Sequence, residues 1–178
     1  LHMAKLLHEI EWGEPLLAAD PHVDPHVLRS LSPWLAAAAA SLSEREEVAY
    51  AAPGLVNVAY FVTCQENECR FCYGMTRALM KIWGYSERQI RDLEHESALA
   101  DGLTRQVVEF SRKLAKSNPS PARRDHEALL ENGLSAGAVS EIAACVAKAC
   151  FANRLSTFLA LPPDSIEKVP TTVLGRVF

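Results

Sequence analysis

The chain has 178 residues, 49% hydrophobic and 22% charged, with 18 Lys+Arg against 22 Asp+Glu for a formal net charge of −4. That length suits one domain with a sizeable core, and the proportions exclude disordered or collagen-like chains. Without a basic block there is no electrostatic footprint for nucleic acid or an anionic membrane. No run of ~20 apolar residues predicts a membrane span, so small molecules and proteins are the expected partners.

Abundant Ala and Leu, with punctuation where helix ends belong, predict an all-α fold: a compact multi-helix bundle. Pro21, Pro25 and Pro33 break up the start, leaving a short opening helix and an Ala-rich one from about Pro33 to Ser41. Ser43 with Glu46 reads as a capping box opening a helix that meets Pro53-Gly54, where a kink or restart is expected. Leu55 to Thr63 is apolar on most sides, as in a buried helix. Asn67 is then the expected N-cap of a helix from about Glu68 to Trp83, with Gly84 just past its end.

Ser86 and Gln89 form another capping box, before a short charged helix. Asp101 is a cap for the next, in which Leu103, Val107, Phe110 and Leu114 recur at helical spacing. The loop Ser117 to Pro121 leads to a short helix around Arg124 to Asn132, ending at Gly133. Ser135 starts the longest helix, expected to reach Leu161 and stop at Pro162-Pro163. The last residues, from near Val169, hold too few β-branched side chains to demand a strand.

Five cysteines, an odd number in a chain too long to need disulfide staples, argue against a secreted disulfide framework. No signal-peptide pattern opens the sequence, so a reducing cytoplasm is the expected compartment. Cys69 and Cys72 stand three apart at a predicted helix start, where unpaired backbone N–H groups favour a thiolate. At ~60° round the helix the two sulfurs are near enough to bridge, as thiol–disulfide exchange requires. Arg70 and Arg77 favour the thiolate while Glu66 and Glu68 oppose it. A zinc half-site and plain buried cysteines are the alternatives, but no second CxxC or His pair completes a zinc site. With Cys64 the spacing C-x4-C-x2-C also matches three [2Fe–2S] ligands, although the segment lacks a loop's small residues. Cys64 is more simply a buried residue ending the preceding helix. Cys145 and Cys150, ~140° apart on one helix, are expected to pack in the core without bridging. Most histidines read as solvated, with His95 a candidate proton partner for the dithiol.

The run Asn67-Glu68-Cys69-Arg70-Phe71-Cys72 resembles the Asn-Gly-Cys-x-Tyr-Cys run of the alkylhydroperoxidase D-like (AhpD-like) branch of the carboxymuconolactone decarboxylase-like superfamily. The stretch from Glu131 to Asp164, with Asn153-Arg154-Leu155, resembles that family's C-terminal helix, and the likeness extends over about residues 43–165. That extent implies an N-terminal helical extension over 1–42, a core over 43–165 and a tail over 166–178. The resemblance implies a dithiol site without metal or other cofactor, Cys69 and Cys72 as the redox pair, and homo-oligomers such as trimers or hexamers. It also implies a hydroperoxide substrate and a dithiol protein reductant. The family's relay histidine, four residues after the second cysteine, is Thr76 here, and its glutamate, twelve before the first, is Asn57. Neither is a general base near neutral pH, and such a base contributes ~10²–10⁴-fold.

The leading expectation is therefore a thiol oxidoreductase reducing hydroperoxides or disulfides with weakened or altered activity. Which cysteine attacks stays open. The alternative is a non-enzymatic redox sensor or oligomeric interaction protein on the same fold.

Overall fold

The computed structural model describes residues 29–43, 48–95 and 102–159. Among them the regular structure is all helical: α1 Pro33–Ser43, α2 Pro53–Glu66, α3 Arg70–Ile82, α4 Glu87–Glu94, α5 Gly102–Lys116, α6 Arg123–Glu131 and α7 Ala136–Phe158. The expected opening helix before Pro33 falls mostly, and the Ser43–Glu46 capping box, the Asp101 cap, the Pro162-Pro163 stop and the 166–178 tail fall in whole or part, outside the described residues. No helix of the described residues is long and apolar enough to cross a membrane.

The helix expected to run up to Pro53 is not formed over residues 48–52. A residue before proline is pushed out of the α region, and Ala52 accordingly sits extended at ψ 131 as the N-cap of α2. Pro53 takes the first turn, where its missing N–H costs nothing. The donors that a helix would have used are taken by Glu141 of α7. Its carboxylate accepts the backbone N–H groups of Ala49 at 2.8 Å, Tyr50 at 3.0 Å and Ala51 at 2.7 Å. The Tyr50 ring then lies over Gly137, where a Cβ would meet it at 2.8 Å, so only glycine fits beneath.

α2 is the central helix. Val58, Ala59, Phe61, Val62 and Cys64 are buried, as expected for a segment apolar on most sides. It joins two core clusters. One includes Val58, Phe61 and Val62 with Tyr73 and Met80 of α3 and Ile90 and Leu93 of α4. The other includes Ala59 with Val107 and Phe110 of α5, Leu129 of α6 and Ile142 and Val146 of α7. α4 opens with the expected capping box, in which the Ser86 hydroxyl accepts Gln89 N–H and the Gln89 side chain accepts Ser86 N–H at 2.9 Å. α7 opens at Ser135, whose hydroxyl accepts the Ala138 N–H at 3.1 Å.

Three surface carboxylates tie elements together and titrate below their usual range. Glu87 is lowered to about 2 by its bonds to Arg77 and Lys81. Asp125 is lowered chiefly by Lys113, 2.5 Å away. Desolvation opposes the charged form of Glu141, but the N–H groups of Ala51, Ala49 and Tyr50 outweigh it. A depressed folded-state pKa contributes stability above the unfolded value and loses it as pH falls through the folded one. Thermal melts should therefore be flat above about pH 5 and fall progressively as pH drops toward about 2. Melting temperatures that hold constant down to about pH 2 would contradict these assignments.

Candidate functional site

α2 ends at Glu66, with Asn67 as its C-cap and a doubly bonded turn beyond it. Glu68 N–H donates to Gln65 O at 3.0 Å and Cys69 N–H to Cys64 O at 3.3 Å. These are the two bonds of a Schellman turn, with Glu68 in the left-handed region at φ 55. Cys69 is the last residue of that turn and the N-cap of α3 at once, with its sulfur accepting the Cys72 N–H at 3.3 Å. The expected N-cap, Asn67, is instead the C-cap of α2, and α3 begins at Arg70. The overlap of two caps explains the correction: an amide beside a helix start suits either role, and here the thiol takes the N-cap.

Cys69 and Cys72 are joined in a disulfide with Cα atoms 5.3 Å apart, and each is 2% exposed. Cys64, Cys145 and Cys150 are free thiols. Burial pushes the Cys64 thiol up to about 12, against the hydrogen bond from Asn153, which lowers it. A thiol so shielded is an inert core group at neutral pH. The Cys145 thiol reaches Val56 O at 3.6 Å and the Cys150 thiol Ala115 O at 3.8 Å, so both pack across to neighbouring helices. Among the described residues no group of three His, Cys, Asp or Glu is placed to hold a metal ion.

The corner between α2 and α3 is clasped by α7. Asn67 Nδ2 donates to Asn153 Oδ1 at 3.0 Å and to Cys150 Sγ at 3.3 Å, while Arg154 Nη2 donates to Asn67 Oδ1 at 3.3 Å. Asn153 Nδ2 in turn donates to Cys64 Sγ at 3.3 Å. Asn153 is fully buried, so its amide must be satisfied internally, and this clasp satisfies it.

Charge around the dithiol differs from the tally of nearest neighbours in sequence. Glu66 faces Arg112 of α5 at 3.2 Å, and Arg112 also donates to Gln65 Oε1 at 2.9 Å and Leu93 O at 3.1 Å. Arg77 is taken up by Glu94, at 2.9 Å, and by Glu87. Desolvation opposes its charge, but Glu87 and Glu94 outweigh this and hold its pKa above the ordinary value. The Tyr73 hydroxyl donates to the same Glu94 carboxylate, and burial and that carboxylate together raise its pKa. Two of the four charges weighed from sequence are thus balanced by partners on other helices. Arg112, Glu94 and the Asn67–Asn153 pairing were not identified as a network from sequence. The one available signal was Arg112 itself, four residues after buried Val108 and therefore on the adjoining helix face.

Thr76 follows Cys72 by one turn and is 1% exposed. Its hydroxyl donates to Cys72 O at 2.7 Å, back onto its own helix, and forms no bond to half-buried Asn57. The position is filled and packed. Thr76→His should therefore overpack the core and cost about 1–3 kcal/mol in urea unfolding. A variant as stable as the parent would show that room for an imidazole exists there. His95 is exposed at the C-cap of α4, so its ring does not share the buried surroundings of the two sulfurs.

Comparison of the chain with protein-family models, with curated proteins and with solved structures gives no match.

Proposed function

We propose that this chain is a thiol oxidoreductase of the AhpD-like kind, cycling Cys69 and Cys72 between dithiol and disulfide to reduce hydroperoxides or disulfides. The observation that carries the reading is the bridged pair at the head of α3, with Cys69 as the helix N-cap. In the reduced protein the Cys72 N–H that Cys69 sulfur accepts favours a thiolate at Cys69. With the Thr76 and Asn57 positions unable to take a proton from Cys72, Cys69 is the attacking sulfur in this reading.

The Cys69 thiolate attacks the distal oxygen of a hydroperoxide, the O–O bond breaks, and the alkoxide leaves as the alcohol after taking a proton from solvent. The resulting sulfenic acid is attacked by Cys72, which loses its proton as the S–O bond breaks and water departs. The substrate has gained the pair of electrons that the dithiol has lost. A dithiol protein reductant then returns both sulfurs to thiols by exchange, and is itself oxidised to a disulfide. Loss of the family's general base predicts turnover ~10²–10⁴-fold below that of a site with an intact relay. No metal or other cofactor enters these steps. The assembly in this reading is a homo-oligomer such as the trimer or hexamer that the resemblance implies. The expected compartment is the cytoplasm, where a dithiol reductant is at hand.

The test is hydroperoxide consumption by the purified protein with dithiothreitol as reductant, repeated with a disulfide substrate. Multiple turnovers support the reading, and no consumption of either substrate overturns it. The burial of both sulfurs and the filled relay position favour one second reading, a redox sensor without turnover. It requires that oxidised and reduced protein differ in assembly by size-exclusion chromatography, and identical elution would count against it.

A further inference from the structure

Three helices among the described residues end in the same doubly bonded turn. At α3 and α6 the left-handed residue is glycine, Gly84 at φ 90 and Gly133 at φ 95. At α2 it is Glu68, a residue for which that conformation costs roughly 1–2 kcal/mol. A non-glycine residue stays in that region only where its surroundings over-determine it.

The surroundings here are the clasp from α7. Asn153 grips the turn at two of its residues, Cys64 and Asn67. Its Nδ2 holds the sulfur of Cys64, the residue whose carbonyl receives the Cys69 N–H. Its Oδ1 receives Asn67, the residue that begins the corner. Arg154 completes the Asn67 amide from the solvent side.

We infer that Asn153, acting through Asn67 and Cys64, is a positioning residue that sets the reduction potential of the Cys69–Cys72 pair. The inference rests on the redox reading of that pair. Holding the corner shut keeps Cys69 at the N-cap and its sulfur beside Cys72, which raises the effective concentration of one thiol at the other. An opened corner lets Glu68 relax and Cys69 withdraw from the N–H of Cys72. The disulfide then loses stability relative to the dithiol, and the Cys69 thiolate loses its donor.

The experiment equilibrates the wild type, Asn153→Ala and Arg154→Ala in dithiothreitol redox buffers, counts the Cys69–Cys72 disulfide by mass spectrometry, and follows iodoacetamide alkylation of Cys69 against pH. Asn153→Ala should shift the equilibrium toward the dithiol about tenfold, which is about 30 mV, and move the alkylation profile to higher pH. Arg154 is exposed and its replacement leaves the core intact, so Arg154→Ala should give a shift of the same sign, about threefold. If Asn153→Ala does not fold, Arg154→Ala decides the question. Folded variants whose equilibrium and alkylation profile match the wild type overturn the inference. A wild type that forms no disulfide in any buffer overturns the redox reading instead, and the inference with it.

Discussion

Cys69→Ser should reduce hydroperoxide turnover to the uncatalysed background, because the residue that attacks in the proposed cycle is gone. Cys72→Ser should do the same under multiple turnover, for a different reason. Its Cys69 would still react once, and without a resolving sulfur the chain would stop as a sulfenic acid or a mixed disulfide with the reductant. The two variants therefore differ in what accumulates. Mass spectrometry after a single peroxide addition should find an adduct on Cys69 in Cys72→Ser and none on Cys72 in Cys69→Ser. Retention of turnover in both would show that the chemistry lies elsewhere. The reverse adduct pattern would keep the pair and exchange the roles. Neither replacement should unfold the chain, since serine fits the same space and the remaining helix contacts of α3 are untouched.

Arg112→Leu should cost about 3–5 kcal/mol of stability and lower the melting temperature on the order of 10 °C. Its guanidinium faces a carboxylate, Glu66, whose side chain is only 4% exposed. Removing that cation takes a charged partner from a buried carboxylate, and it also strands the Gln65 and Leu93 oxygens that Arg112 serves. The double variant Arg112→Leu, Glu66→Gln should recover part of the loss, because no charge is left behind. Urea unfolding measures both. A single variant within about 1 kcal/mol of the wild type would show that the Arg112–Glu66 pair does not hold α5 to the end of α2. The consequence reaches the site, since Glu66 is the last residue of α2 and the corner that presents Cys69 starts at the next residue.

What could be read from the sequence depended on the reach of each interaction. The Ser86–Gln89 box and the Ser135 cap are closed within three residues, and both formed as expected. The buried character of α2 followed from apolar residues on most sides of one turn after another. The Asn67 cap failed because its amide is claimed by Asn153, 86 residues away in the chain, leaving the N-cap to Cys69. The helix expected before Pro53 failed for a similar reason, since Glu141 supplies from α7 the acceptor that residues 49–51 would have found in a helix. The CxxC itself was legible as a candidate site, and its pairing with the N-cap follows from local geometry. Its electrostatic setting was not legible, because Glu66 and Arg77 are balanced by Arg112, Glu94 and Glu87 on other helices. Thr76 and Asn57 could be singled out from the sequence as positions near the pair that hold no general base. That Thr76 is packed and bonded to its own helix required the structure.

The central claim is that Cys69 and Cys72 act together as one redox pair while Cys64, Cys145 and Cys150 stand aside. Fully reduced protein treated with a single equivalent of organic hydroperoxide, quenched by alkylation and digested, tests it most directly. The account predicts one alcohol formed per chain, a Cys69–Cys72 disulfide, and the other cysteines recovered as thiols. Peroxide left unconsumed, or oxidation distributed over Cys64, Cys145 and Cys150 with Cys69 and Cys72 still reduced, would contradict it.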